Sequence, residues 1–277
     1  MDVERLRELY ESIAIAGLER TVARDARHYE SNIAFAKQRF QEGVELAVSF
    51  HDKYNARPLH ILDLGAGTGG VSAALAAEGK HRVVAVDIVA NEDLRKLRNG
   101  APALAGLSRA LAGEGPAEAG APFHVDQVIA TADALPFANE SFDVVLCLET
   151  IEHLPNPRAS AREMMRVLRT GGQVMITTPA RLRFLWKPDP HYQVRGLAAL
   201  PDSMQRKVIV EKLKLTDQYD VQHLFWTAGG MIRMFPNRGR VETLVAIPWP
   251  GRPRNLKEIL WKVFRRLLWD RIVIYKR

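Results

Sequence analysis

Three groups of residues in this chain have types and spacings that could do chemistry. The first is the run Asp63-Leu-Gly-Ala-Gly-Thr-Gly-Gly70, in which an acid and four glycines follow a short apolar stretch. Only glycine lets a chain turn sharply into a helix while its amides come close to a ligand, so the turn is expected to bind something. As written, Gly65-x-Gly67-x-x-Gly70 satisfies a dinucleotide fingerprint, and Asp87 at the end of the next apolar run would hold ribose hydroxyls. The second group is Glu149-Thr-Ile-Glu152-His153, whose spacing gathers three polar groups on one face if the turn is helical. Carboxylates with imidazole suit Mg²⁺ or Mn²⁺, and a neutral imidazole can instead take a proton from an acceptor hydroxyl. The third comprises His191, two residues after Asp189, which could orient it, and His223 in Gln-His-Leu-Phe-Trp. For His191 a surface loop is the alternative.

The elements that must position these groups are legible from periodicity. Residues 1 to about 57 lack strand patterning. Apolar positions such as Leu6, Leu9 and Ile13, and later Phe40, Val44, Ala47 and Val48, recur at helical spacing and predict a helical N-terminal extension. From His60 the texture changes to short β-rich runs separated by helical stretches, the pattern of a parallel α/β sheet. Strands are expected at 59–65, 81–87, 127–133, 142–149 and 171–179. Helices are expected over Ser72–Gly79 and Arg162–Gly172, each ending at a glycine cap. The Ala-, Gly- and Pro-rich interval 99–122 reads as an insertion. Residues 180–240, with their prolines, aromatics and histidines, are expected to form a lid. The runs Val241–Pro248 and Arg271–Arg277 suit a closing antiparallel hairpin around the helix Asn255–Trp269.

Over roughly residues 58–180 the order of these pieces resembles the class I S-adenosylmethionine (SAM) dependent methyltransferases. The matching pieces are ILDLGAGTGG, VVAVD, TADALPF, FDVVLCLETIEHLPNP and VLRTGGQVMITTP. The resemblance implies a Rossmann-like, doubly wound α/β fold with a seven-stranded sheet, mostly parallel, whose last strand is antiparallel. The implied domains are a helical extension over 1–57 and a methyltransferase domain over 58–277 that contains the lid. It further implies that Asp63 and the backbone of Gly65, Ala66, Gly67 and Gly69 meet the methionine end of SAM. Asp87 and Ile88 would meet the ribose and its surroundings, Asp133 and Ala134 the adenine edge, and Leu148 would line the donor site. Glu149 would face the transfer centre. SAM carries an ammonium, a sulfonium and a diol and no pyrophosphate, so carboxylates at strand ends serve it well. Asp133 could equally cap a turn, and Asp143 the fourth strand.

The Glu149, Glu152, His153 arrangement is similar to the metal-binding motif of ubiquinone-biosynthesis O-methyltransferases and of small-RNA 2′-O-methyltransferases. In the latter a further histidine comes from downstream, and His223 stands at a comparable place. Looser similarity of 189–201 and 222–227 to methyltransferases of bacterial glycan and natural-product pathways tilts the expected acceptor toward a small-molecule or glycan hydroxyl. The expected catalytic residues are then Glu149, His153, His191 and His223, with a metal on Glu149, Glu152, His153 and His223.

Composition bounds the partners. The 277 residues carry 39 Lys and Arg against 32 Asp and Glu, a formal charge of +7, which favours anionic partners without naming one. No basic–aromatic platform and no base-binding tetrad follow the fourth strand, where ETIEHLPNP stands, so a nucleic-acid methyltransferase is disfavoured. A nicotinamide-dependent oxidoreductase is the other alternative. The single cysteine, Cys147, lies in an apolar run and is expected to be a core thiol. A charged N-terminus and the absence of about 18 consecutive apolar residues point to a soluble, cytoplasmic protein. The amphipathic stretch around Leu256, Ile259, Leu260, Val263 and Phe264, with Lys262, Arg265 and Arg266 opposite, is expected to pack as a helix, with peripheral membrane contact as the alternative.

Overall fold

A computed structural model describes residues 29–54, 57–77, 80–90, 125–185, 188–189, 191–216, 220–244 and 271–277. The expected first helix around Leu6 to Ile13, the insertion at 99–122 and the helix Asn255–Trp269 lie outside the described residues. The strands β1 (His60–Leu64), β2 (Arg82–Asp87), β3 (Val125–Ile129), β4 (Phe142–Leu148), β5 (Leu168–Thr177), β6 (Arg238–Leu244) and β7 (Arg271–Lys276) form one seven-stranded sheet. Their order is β3-β2-β1-β4-β5-β7-β6. β1 with β2 and β2 with β3 pair in parallel, whereas β7 runs antiparallel to both β5 and β6. The last strand is thus the antiparallel one, as the sequence implies. Among the described residues no helix is long and apolar enough to cross a membrane.

The chain divides into two compact units. The first takes residues up to Thr131 with Phe142–Val144, and the second takes Ala132–Ser141 with Val145 onward. In the first unit, β1 and β2 are near-continuous apolar runs because a central parallel strand is covered on both faces. Asp143 ties the start of β4 to the start of β1. Its Oδ2 accepts the His60 N–H at 2.8 Å and its Oδ1 meets Arg57 at 3.2 Å. This is the strand-capping role, and it spends both carboxylate oxygens on structure.

The helix α1 (Tyr29–Lys53) packs on α2 (Gly70–Ala77), which begins at the glycine turn. Its buried face is Ala36, Phe40, Gly43, Leu46, Ala47 and Phe50, at steps of three and four; Val48, expected on that stripe, is 59% exposed. Four-residue steps drift around a helix of 3.6 residues per turn, so along the row that begins at Phe40, Val44 is half-buried and Val48 exposed. The close approach is at Gly43, where a Cβ would lie 2.7 Å from the Ala74 Cβ and 2.9 Å from the Val71 Cα.

In the second unit, β4 reaches its end at Leu148 fully buried, with Cys147 0% exposed in the core as expected. Asn156 caps the helix α3 (Pro157–Val167) by accepting the Ala159 N–H at 3.1 Å, and Pro157 opens the first turn, where its missing N–H costs nothing. The helix does not run on to a glycine cap at Gly171. It stops at Val167, and Leu168 already begins β5. The physical reason is that the N–H groups of Glu140 and Ser141 satisfy the Arg166 and Val167 carbonyls at 3.0 and 2.8 Å. The downstream segment expected as a lid holds α4 (Asp202–Arg206), a π-helical turn at Lys207–Lys212 and α5 (Ala228–Ile232). Its anchor is Arg181, 3% exposed, which pairs with Asp202 at 2.6 Å, donates to the carbonyls of Ala198 and Leu200, and lies 4.3 Å over the Trp226 ring.

Gly43→Val should overpack the α1–α2 contact and destabilise the protein by about 2 kcal/mol, read as a lowered midpoint in urea unfolding. An unchanged midpoint would show that α1 does not depend on this contact.

Candidate functional site

The candidate residues fall into one cluster in each unit. In the first unit the turn after β1 is built on left-handed backbone angles: Gly65, Gly67 and Gly69 have φ of 74°, 51° and 75°. The amides of Gly65 and Ala66 donate to the Val86 carbonyl at 2.7 and 3.1 Å, which ties the turn to the end of β2. The Gly67 N–H donates to Asp87 Oδ2 at 2.9 Å, and Asp87 Oδ1 accepts from the Ile88 and Val89 amides at 2.7 and 3.3 Å. Asp87 therefore shapes the turn from the neighbouring strand end, and its Oδ2, which accepts one N–H, keeps acceptor capacity for a ligand hydroxyl. Ile88 and Val89 beside it are 70% and 67% exposed, apolar surface suited to the flat face of a ribose–adenine ligand.

A Cβ at Gly67 would meet only the Gly65 carbonyl oxygen, at 3.9 Å. The space over the turn is open, and the demand for glycine comes from the backbone angle. Asp63 is 2% exposed and accepts the Ser72 hydroxyl at 2.6 Å. Burial pushes its carboxyl above the usual range, while the Ser72 hydrogen bond and the Arg39 charge on α1 pull the other way. An ammonium group brought to Asp63 would add to that pull. The open turn, the buried acid and the diol-ready acid fit the amino-acid and ribose ends of SAM.

In the second unit, Asp133 and Ala134 lie exposed in the turn after β3. A feature missed from the sequence fixes the loop that follows. Glu163 and Arg166 on α3 form a two-point pair, with Nε–Oε1 and the second nitrogen–oxygen contact both at 2.8 Å, which holds the Glu163 carboxyl below its usual range. Glu163 also accepts the Leu135 N–H at 2.9 Å, and Arg166 donates to the carbonyls of Leu135 and Phe137 and to the Asn139 side chain at 2.7–3.0 Å. The only sequence signal was Glu and Arg three apart in a helix.

At the end of β4, Leu148 is 3% exposed and Glu149 takes φ of 50°, a left-handed angle that costs a non-glycine residue about 1 kcal/mol. Its N–H, shared between the Thr177 carbonyl at 2.9 Å and hydroxyl at 3.0 Å, holds it there. The chain then makes a 3₁₀ turn over Ile151–His153. Glu152 is 0% exposed, and its carbonyl accepts the N–H groups of Gln222 and His223 at 2.8 and 2.9 Å. His153 Nδ1 lies 3.0 Å from the Asp220 carbonyl oxygen. A carbonyl can only accept, so the neutral ring carries its proton on Nδ1 and presents a lone pair at Nε2.

The partner of His153 is His191, whose ring meets it edge to face with centroids 5.1 Å apart, and His191 Nε2 is 3.9 Å from Glu152 Oε1. Asp189 does not orient the His191 ring, as the spacing had allowed. Its carboxylate instead accepts the backbone amides of His191, Tyr192 and Val194 at 3.0, 2.7 and 2.7 Å and so fixes the whole loop. Burial, then the nearby His153, lower the His191 pKa from 6.5 to about 4 against the pull of Asp189.

Ligand atoms of Glu152, His153 and His191 all lie within 4.8 Å of one another, a set that could hold a divalent metal. The expected set was Glu149, Glu152, His153 and His223. Among the described residues the structure gathers His191 in place of Glu149 and His223. Glu149 belongs to the strained strand end, and His223 reaches the site through its backbone amide.

Residues 62–176 match the family described as the methyltransferase domain. With the fold above, this match supports a class I SAM-dependent methyltransferase domain over this part of the chain, about two fifths of its length. Among curated relatives, the chain is 40% identical over 116 residues to a demethylmenaquinone methyltransferase of Clavibacter sepedonicus, a match covering 42% of this chain and 39% of that one. It is 34% identical over 119 residues to a ubiquinone biosynthesis O-methyltransferase of Xylella fastidiosa (strain M23), covering 43% and 41%. A ubiquinone/menaquinone biosynthesis C-methyltransferase of the same organism is 27% identical over 178 residues, covering 61% and 64%. The matches thus span about two fifths of the length of the first two relatives. Among solved structures, the PH0226 protein of Pyrococcus horikoshii OT3 aligns with a TM-score of 0.48 and 20% identity over 91% of this chain and 93% of that one.

Gly67→Arg should abolish SAM binding in calorimetry while leaving circular dichroism unchanged; native affinity in the variant would refute the turn as the donor site. The depressed His191 pKa has a stability consequence. Between pH 6.5 and about 4 the unfolded chain binds a proton at this histidine that the folded chain refuses, so stability falls as pH drops through that window and is unaffected by this group above it. With chelator present, His191→Gln should flatten the decline in urea midpoints across that range.

Proposed function

We propose that the protein transfers the methyl group of SAM to a hydroxyl oxygen of a small molecule or glycan. The observation that carries this reading is His153, its proton held on Nδ1 by a main-chain carbonyl and its Nε2 lone pair presented beside Glu152 and His191. Bound SAM would supply an electrophilic methyl on a sulfonium, and a hydroxyl attacks it well only as its proton leaves. His153 is the group to take that proton at Nε2. The neighbouring His191 stays neutral at physiological pH and adds no charge of its own to oppose a proton on His153. Asp63, the Gly65–Gly69 backbone, Asp87 and Ile88 would hold the donor; the family resemblance assigns Asp133 and Ala134 to its adenine edge and Leu148 to the donor site.

A divalent ion on Glu152, His153 and His191 would serve the same end by lowering the pKa of a bound acceptor hydroxyl. Two imidazoles and one carboxylate suit Mn²⁺ better than Mg²⁺, which prefers oxygen ligands. Glu149 and His223 stand as neighbours of this cluster, near the acceptor in the proposed reading. The names of the relatives support a small, quinone-related acceptor, and they include both O- and C-methyltransferases. The imidazole at the ready favours oxygen. The lid role of 180–240 and a cytoplasmic location belong to the same proposal.

The test is transfer of labelled methyl from SAM to panels of phenols, quinols and glycans. Incorporation at oxygen in the native protein, with a drop of about 100-fold in kcat for His153→Ala and unchanged SAM affinity, is the expected result. Methylation at carbon or nitrogen alone would overturn it, and RNA or DNA labelled in a salt-sensitive manner would favour the nucleic-acid alternative. Activity indifferent to chelator would remove the metal and leave His153 as the base.

A further inference from the structure

We infer that Tyr192 is a positioning residue that sets the tautomer of His153, acting through the main chain of Asp220; this rests on the proposed role of the His153 Nε2 lone pair. The loop that carries Tyr192 is unusually well fixed for a connecting segment. Asp189, 2% exposed, accepts three of its backbone amides, Asp189 and Val194 close it with a 3.2 Å backbone bond, and Pro188 bridges Arg195. From this platform the Tyr192 hydroxyl oxygen accepts the Asp220 N–H at 3.1 Å. On its other side the same strand of chain is hung from the Glu152 carbonyl by the amides of Gln222 and His223.

Residue 220 is therefore pinned from both directions, and its carbonyl is left facing His153 Nδ1. That carbonyl makes the Nδ1–H form the better one. A histidine ring in water has no such instruction, and the Nε2–H form would bury the proton where a lone pair is needed. The contact that carries this effect is between the Tyr192 hydroxyl and a main-chain N–H, one residue removed from any ring nitrogen. Its effect passes through one backbone peptide, and that is why neither the motif nor the spacing of polar residues exposes it.

The test reads the tautomer directly and needs no acceptor. In ¹⁵N-labelled full-length protein the ring nitrogens of His153, assigned with His153→Gln, should report the Nδ1–H form. Tyr192→Phe removes one oxygen and keeps the ring. It should shift the tautomer ratio toward Nε2–H by about fivefold, which is what one hydrogen bond of ordinary net strength supports. Two results overturn the inference: an Nε2–H ring in the native protein, or an unchanged ratio in a Tyr192→Phe protein whose melting temperature is native. Failure of the methyl-transfer reading is seen elsewhere, as retained activity in His153→Ala, and leaves the spectra unchanged.

Discussion

The turn after β1 can be made only because three glycines take left-handed backbone angles within five residues, and the first unit is organised around keeping it open. The angles take the chain out of helix or strand pairing there. Hydrogen bonds from the turn's amides to the Val86 carbonyl and the Asp87 carboxylate replace what is lost, so the end of β2 is part of the turn in all but sequence. The start of α2 and its contact with α1 follow from the same geometry. Ser72 on α2 reaches back to Asp63, and Gly43 lets α1 come close enough for Arg39 to act on that acid. The helix at 29–53 is thus packed against the helix that the glycine turn opens, within the same unit.

The second unit solves a different problem, which is to keep ionisable groups inside protein without leaving them to chance. Arg181 is enclosed by carbonyls, a carboxylate and an indole. Glu163 and Arg166 meet within one helical turn and reach a loop together. Glu152 and His191 are held by backbone on either side, one from the 220s strap and the other from the Asp189 loop. In each case main-chain atoms take part in positioning the group or its residue, and these do not vary with the residue that carries them.

Much of this was readable in the chain. Parallel strands buried on both faces write themselves as apolar runs, and the glycines and the acids at 63 and 87 have no cheaper explanation. Boundaries were read less well where one segment's ends depend on another. Nothing in Arg162–Gly172 says that Glu140 and Ser141 will cap the helix at Val167. The polar cluster was half legible: Glu152 and His153 announce themselves by adjacency, whereas the choice of His191 over His223 depends on how a loop folds on Asp189. Asp189 itself shows the limit most clearly. Its distance from His191 in sequence allowed a side-chain partner, and the structure spends the carboxylate on three amides instead.

The strap at 220–223 has an evolutionary consequence. It is attached to Glu152 and to Tyr192 through its own backbone N–H groups, and it faces His153 with a backbone oxygen. Any amino acid except proline offers the same attachments, so the exposed Gln222 and half-buried His223 can be exchanged without loosening the geometry beneath them, whereas Val221, 4% exposed, is part of the core. A lineage could alter these two positions one at a time while His153 stays where it was, held by a backbone oxygen that no such change removes.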